Sequence, residues 1–448
     1  MCSKGNIKTN IFHNGLKLIY EPTVNEINYS TVYLYCNVGS VFETEKTHGF
    51  SHFVEHMCFK GTRKYPSYMN LYKYIDETGS NLNASTTKRY TVYTLKCNNE
   101  HLGVMLNIIS DMIFNSIFNK KEYEKEIRVV IEENFKDDDD NYNKVFYLMD
   151  EILYKDTSFE FPIDSNKYHK KTPSIKDVKD FYNTYYKPHN MVLSICSNLS
   201  YQTIMNLLKK TQYWKKPAQP ITEMENISVL YRQPKIYTNI QYKYKRVKTD
   251  VIYLCIGFKT CSLFDKDKYT LKLLKNILSG YFSSLLPLQL REKNGLTYSS
   301  DVTVDYYESS GSFVIDTVTE YSKLLKNGTK KGVLPIIIDI ISELYTRGIH
   351  HAILSKGKDN LYNKMKFKLD NPATQTNHNG EHLLMYGSLE KYLPYCKIYD
   401  TFIKQITTAD IHDVIKRYFK RENMGVSIVA EKIDISKIKH ECEKIRII

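Results

Sequence analysis

The stretch that decides the reading of this chain is Gly49-Phe50-Ser51-His52-Phe53-Val54-Glu55-His56-Met57-Cys58-Phe59-Lys60-Gly61-Thr62. Phe50, Phe53, Val54 and Met57 recur at helical spacing, so Thr47 to Lys60 is expected to form a helix with its apolar face on a core. Histidines four apart on a helix project from the same side, one turn apart. His52 and His56 can therefore reach one metal ion, and Glu55 falls beside them. The plainer alternative is a surface helix with two satisfied histidines and a solvated carboxylate.

The order His-x-x-Glu-His reverses the commoner zinc-peptidase pattern and leaves Glu55 as a candidate general base. Two imidazoles alone leave a catalytic zinc short of a ligand, because such sites use three protein groups and keep one position for water. A carboxylate is the expected third. Lys120 to Phe135 reads as a helix that supplies Glu122, Glu124, Glu126, Glu132 and Glu133, while Ile127, Val130 and Ile131 define its buried face. Glu126 and Glu133 stand seven apart, almost two whole turns, so they share a side and could sit at and beside one metal. Otherwise such residues simply face water.

The 448 residues favour two domains of roughly 200 residues each, since single cores stop growing near that size. An apolar fraction of 42% with 25% charged residues is ordinary for a soluble globular protein and excludes a mainly disordered or fibrous chain. The net charge of +13 comes from scattered Lys and Arg with no aromatic-plus-basic motif, so it reads as a solvated surface and no nucleic acid is expected as a partner. Locally, Glu122 to Asp140 is acidic and would attract a peptide bearing Arg or Lys. Nine cysteines without a Cys-x-x-Cys pair point to a reducing compartment rather than a disulfide framework or a zinc ribbon. Met1-Cys2-Ser3-Lys4 runs almost at once into the strand-like Gly15 to Tyr20, which leaves no room for a cleaved signal or a typical transit peptide. Val333 to Ile341 is far short of the ~20 residues that span a bilayer, so no membrane span is expected. The expected location is intracellular and soluble, in the cytoplasm, with a mitochondrion or a reduced mitochondrion-like organelle as the alternative.

The two halves follow one plan. Thr31 to Val38 and Asp250 to Phe258 read as strands, and each precedes a helical stretch, Thr47 to Lys60 and Lys268 to Gly280. Extended, hairpin-like regions follow at Asn83 to Cys97 and Thr297 to Val318, and then Ile108 to Phe114, within the expected helix His101 to Phe118, finds an echo in Pro335 to Leu344. Such a repeat predicts an α+β protein of two homologous domains of similar size, each a mainly antiparallel sheet packed with helices. The expected boundaries are 1–213 and 235–448, joined by a linker at 214–234 that holds Pro217, Pro220 and Pro234.

Gly49 to Thr62 resembles the motif region of the inverted-motif zinc peptidases, the family of pitrilysin, insulin-degrading enzyme and the mitochondrial processing peptidase. It is most similar to the catalytic beta subunit of the processing peptidase and to single-half bacterial members. Further segments carry the resemblance. Asn83-Ala84-Ser85-Thr86, followed by Thr91-Val92-Tyr93, looks like the family's substrate-binding edge strand. Glu126 to Glu133 looks like the segment whose last glutamate binds zinc while the one seven earlier supports the site, and the interval of 77 residues from His56 fits. Glu132 is one residue early by that alignment. Gly280-Tyr281-Phe282-Ser283-Ser284 with Leu290 to Ser299 is similar to the C-terminal motif in which an arginine and a tyrosine contact bound peptide, here Arg291 and Tyr298. An arginine can hold a substrate carbonyl and a tyrosine can donate to a developing oxyanion.

The resemblance implies a zinc metalloendopeptidase acting on unstructured peptides or presequences. His52, His56 and Glu133 would hold Zn²⁺, Glu126 would support them, and Glu55 would be the base. A non-catalytic peptide-binding or scaffold subunit of the same fold is the alternative. Because the chain is one half of the long family members yet carries both motifs, it implies a homodimer, or a heterodimer with a related subunit.

Overall fold

The computed structural model describes residues 7–23, 28–163, 172–218, 227–388, 390 and 392–447. Tyr29–Cys36 is rich in residues that fit a pleated, buried surface, and it becomes an interior strand. Around it six strands, β1 (Lys8–Ile11), β2 (Lys17–Pro22), β3 (Tyr29–Cys36), β4 (Asn81–Thr86), β5 (Thr91–Asn98) and β6 (Met191–Ser197), form a sheet in the order β1-β2-β6-β3-β5-β4. Only β2 and β6 pair in parallel. The strand β4 is an edge, paired on one side with β5 so that Asn83 lies opposite Thr94 and Thr86 opposite Thr91.

The second half repeats the arrangement with β7 (Gln241–Arg246), β8 (Val251–Thr260), β9 (Thr297–Tyr306) and β10 (Gly311–Glu320). A short ribbon of β11 (Lys326–Asn327) and β12 (Lys330–Lys331) precedes β13 (Met424–Ala430). The sheet order is β7-β13-β8-β10-β9, with β7 and β13 as its parallel pair and β9 at the edge. Position for position this matches β2-β6-β3-β5-β4. The protein is α+β, with two similar sheets each packed with helices, as the sequence pattern predicts.

The chain divides into two compact units that do not follow a single cut along the sequence. The first comprises Met1–Lys136, Pro162–Asn226 and Phe367–Lys397; the second comprises Asp137–Phe161, Ile227–Lys366 and Ile398–Ile448. Each half of the chain thus lends one helix to the unit of the other. Asn141–Leu153 packs on β13, β8 and β7, and Pro372–Tyr386 packs on β6, β3 and β2. In the first unit Leu383 of the lent helix joins Ile19, Tyr35, Val92 and Val192 in a buried cluster. Of the expected linker, Trp214 ends up in a short helix, Gln212–Lys215, and residues 219–226 lie outside the described residues, as do Met1 to Lys4. Cys36, Cys58, Cys97, Cys196, Cys255, Cys261 and Cys442 are buried free thiols. Among the described residues, no helix is long and apolar enough to cross a membrane.

Candidate metal centre

The motif helix runs over Phe50–Cys58, shorter than the expected Thr47 to Lys60. Gly49 takes a left-handed conformation at its start, with φ of 87°. There Glu43 accepts hydrogen bonds from the backbone N–H of Gly49 (2.6 Å) and of Ser51 (2.7 Å), satisfying two donors of the first turn. Phe53, Val54 and Met57 are fully buried. That anchors one face and turns His52 and His56 to the other, half-buried, with Glu55 buried between them.

The second element is the helix Lys120–Asp139, which runs beyond the expected Phe135. Tyr123 meets the Phe53 ring edge-to-face at 5.1 Å, and Ile127 and Val130 are buried. This packing brings Glu126 and Glu133 to the histidines. Nε2 of His56 lies 3.0 Å from Nε2 of His52 and 3.5 Å from a carboxylate oxygen of Glu133. The donor atoms of His52, His56 and Glu133 all fall within 4.8 Å of one another. Two imidazole nitrogens and one carboxylate oxygen form the donor set that a zinc ion takes, and at Zn–N distances of about 2.0–2.1 Å two ligand nitrogens stand little farther apart than these two do. The residues therefore fit zinc. Glu133 is 45% exposed at its side chain, which leaves the group open to solvent on that side. Glu132 is exposed and outside the group.

Glu126 sits behind the trio. One of its oxygens is 2.8 Å from Nδ1 of His56, and the other is 2.6 Å from Nζ of Lys60. Burial pushes the pKa of this carboxyl up, but its hydrogen bonds and charge interactions with His56 and Lys60 outweigh that and hold it below the usual carboxylate range. An ionised Glu126 can only accept, so His56 donates through Nδ1 and keeps the lone pair of Nε2 for a metal. Thr86, at the end of β4, donates to Glu55 at 2.6 Å. Of the four residues expected on the substrate strand, Asn83 and Ser85 are exposed, whereas Ala84 and Thr86 are half-buried.

Arg291 and Tyr298 lie in the second unit, and the structure brings them together. The Arg291 guanidinium is 6.0 Å from the centre of the Tyr298 ring, across a turn in which Gly295 has φ of 59°. Tyr298 is 89% exposed on the edge strand β9.

Sequence reasoning overlooked a second His-x-x-Glu-His, His378-Asn379-Gly380-Glu381-His382, on the lent helix Pro372–Tyr386. Here the ring centroids stand 6.2 Å apart; Nε2 of His378 is 2.8 Å from the Leu393 carbonyl, and His382 stacks on Tyr386. Glu381 accepts from the Tyr90 hydroxyl at 3.3 Å. Among the described residues, only His52, His56 and Glu133 gather as a metal-sized group. The same spacing is tied here into ring and carbonyl contacts, and among the described residues it gathers no third donor atom at metal-sized distances. Lys60 and Glu43 were also missed, since a lysine or a glutamate near a helix end carries no signal of its own.

A two-sheet α+β fold with such a histidine pair and a glutamate from a later helix defines the class of inverted-motif metallopeptidases and their relatives. Residues 23–164 match the family described as insulinase (peptidase family M16), and residues 174–361 match the one described as peptidase M16 inactive domain. The chain belongs to peptidase family M16. It is 27% identical to an uncharacterized zinc protease, YmxG, of Bacillus subtilis over 95% of this chain and 98% of that one. It is 24% identical to the mitochondrial-processing peptidase subunit beta of Caenorhabditis elegans, over 93% and 88% respectively. Cytochrome b-c1 complex subunit 1 of Mus musculus is 22% identical over 92% and 84%. The crystal structure of a protease from Helicobacter pylori shares the fold, with a TM-score of 0.86, 19% identity, and coverage of 95% and 99%.

Proposed function

We propose that this chain is a zinc metalloendopeptidase that cleaves unstructured peptides, with His52, His56 and Glu133 as ligands and Glu55 as general base. The observation that carries the proposal is the convergence of three donor atoms within 4.8 Å beside a buried carboxylate that Thr86 orients. Zinc held there would supply Lewis acidity to a water and to the scissile carbonyl. Glu55 takes the water's proton and returns it to the leaving amine. An extended peptide adds as a further strand along β4, so backbone hydrogen bonds give affinity and side-chain pockets give selectivity.

Arg291 holds a substrate carbonyl, and the exposed phenol of Tyr298 donates to the oxyanion. We further propose that 1–213 and 235–448 are two copies of one domain that divide these tasks. The chain then works as a homodimer in which each site combines the metal group of one subunit with Arg291 and Tyr298 of the other. A heterodimer with a related subunit is the runner-up.

A second reading, a non-catalytic subunit of the same fold, is favoured by the similarity to a cytochrome b-c1 subunit and by the inactive-domain family that matches the second half. Zinc content and hydrolysis of mixed unstructured peptides, measured for the wild type and for Glu55→Gln, separate the two. The proposal expects zinc in both proteins and cleavage only in the wild type. Zinc in both with cleavage in neither supports the scaffold, and cleavage that survives Glu55→Gln rejects Glu55 as the base.

A further inference from the structure

Lys60 follows directly on the C-terminal turn of the motif helix, and its side chain is only 19% exposed. In a protein with 63 lysines and arginines, most of them on solvated surface, a lysine folded inward against a buried carboxylate calls for a cause. Its backbone is fixed from both sides. Before it, the N–H groups of Phe59 and Lys60 bond to the carbonyls of His56 and Met57. After it, Gly61 has φ of 124°, and a Cβ there would stand 2.9 Å from the Pro66 carbonyl oxygen, so only glycine lets the chain turn back. Thr62 then locks the turn by donating to the buried Asp111 at 2.5 Å and accepting from the N–H of Tyr65 at 2.9 Å.

The ammonium so delivered lies 2.6 Å from one oxygen of Glu126 and 5.3 Å from the centre of the Tyr68 ring, which stacks on Tyr72 at 4.0 Å. The other oxygen of Glu126 is the one that meets Nδ1 of His56. A carboxylate held at both ends cannot rotate without breaking both contacts.

We infer that Lys60 is a positioning residue of the metal centre: it fixes Glu126 in the orientation that accepts from Nδ1 of His56, and so aims Nε2 of His56 at the metal. This rests on reading His52, His56 and Glu133 as zinc ligands. Lys60 touches neither metal nor substrate, so its effect is on metal affinity and on the histidine tautomer.

The test uses the full chain as wild type, Lys60→Met and Lys60→Arg. Zinc affinity is measured by chelator competition, and the His56 tautomer of the zinc-free proteins by long-range proton–nitrogen correlation. Loss of a group behind a ligating histidine lowers metal affinity about 10–100-fold, and that loss is expected for Lys60→Met together with a mixed His56 tautomer. Lys60→Arg keeps the charge and is expected to stay within about threefold of the wild type, in the Nδ1–H form. If Lys60→Met does not fold, Lys60→Gln gives the same reading. Zinc affinity of Lys60→Met within about twofold of the wild type, or Lys60→Arg as weak as Lys60→Met, would overturn the inference. A wild type that binds no zinc would instead bring down the metal-centre reading itself.

Discussion

Glu55 is buried, and one of its oxygens accepts a hydrogen bond from the Thr86 hydroxyl at 2.6 Å, which fixes the carboxylate's orientation. A hydrogen bond to a charged group is worth about 1.5–3 kcal/mol, so Thr86→Val is expected to lower turnover about tenfold or more. Zinc content should be unchanged, because Thr86 bonds the base and no ligand; a metal assay beside steady-state kinetics checks this. In the second unit, burial raises the pKa of Asp316 to about 6 despite the hydrogen bond that Tyr142 donates at 2.8 Å. Between roughly pH 4 and pH 6 the folded state therefore holds a proton that the unfolded state has released, and stability falls as pH rises through that window. Asp316→Asn removes the titration. Its unfolding free energy should gain on the wild type from pH 4.5 to pH 6.5, by an amount on the order of 2 kcal/mol, and level off above. At this scale the sequence is legible where partners are neighbours. His52 and His56 declare themselves by lying one turn apart, and Glu126 and Glu133 by sharing a helix face. The bond from Thr86 to Glu55 spans 31 residues and depends on how β4 meets the motif helix, so nothing in the spacing announces it.

Each lent helix approaches its sheet closely because glycine stands at the contact. On Pro372–Tyr386, a Cβ added at Gly380 would come within 2.3 Å of the Tyr35 ring. In the other unit the glycines are on the strands: added Cβ atoms at Gly257 and Gly425 would meet the Met149 sulfur and the Ile152 side chain at 2.7 Å and 2.8 Å. Overpacking of a tight core typically costs about 1–3 kcal/mol. Gly380→Val is expected to reach the upper part of that range or beyond, read as a lowered denaturant midpoint, and to leave the zinc affinity of the surviving folded protein unchanged. Strand and helix types were readable from alternation and helical spacing, and the edge position of β4 followed from the family likeness of Asn83 to Thr86. The role of the second His-x-x-Glu-His was not readable, because what separates it from the first is a glutamate delivered by another helix.

For the whole molecule, the duplicated strand order was visible as a repeat of strand, helix and hairpin in both halves. The exchange of Asn141–Leu153 and Pro372–Tyr386 between units was not, since an amphipathic helix packs on any sheet of suitable shape and its sequence does not say which. A composite site in a homodimer makes activity a property of assembly. Specific activity at saturating zinc is then expected to fall steeply once dilution passes the dimer dissociation constant, in step with the loss of dimer by light scattering; a monomer of full activity contradicts the dimer. The central claim is that zinc bound by His52, His56 and Glu133 makes this chain a peptidase, and stoichiometric metal replacement tests it most directly. Chelation should abolish cleavage of an unstructured peptide, one equivalent of zinc per chain should restore it in the wild type, and the same addition should fail in Glu133→Ala. Cleavage that persists after complete removal of zinc, or equal recovery in Glu133→Ala, would contradict it.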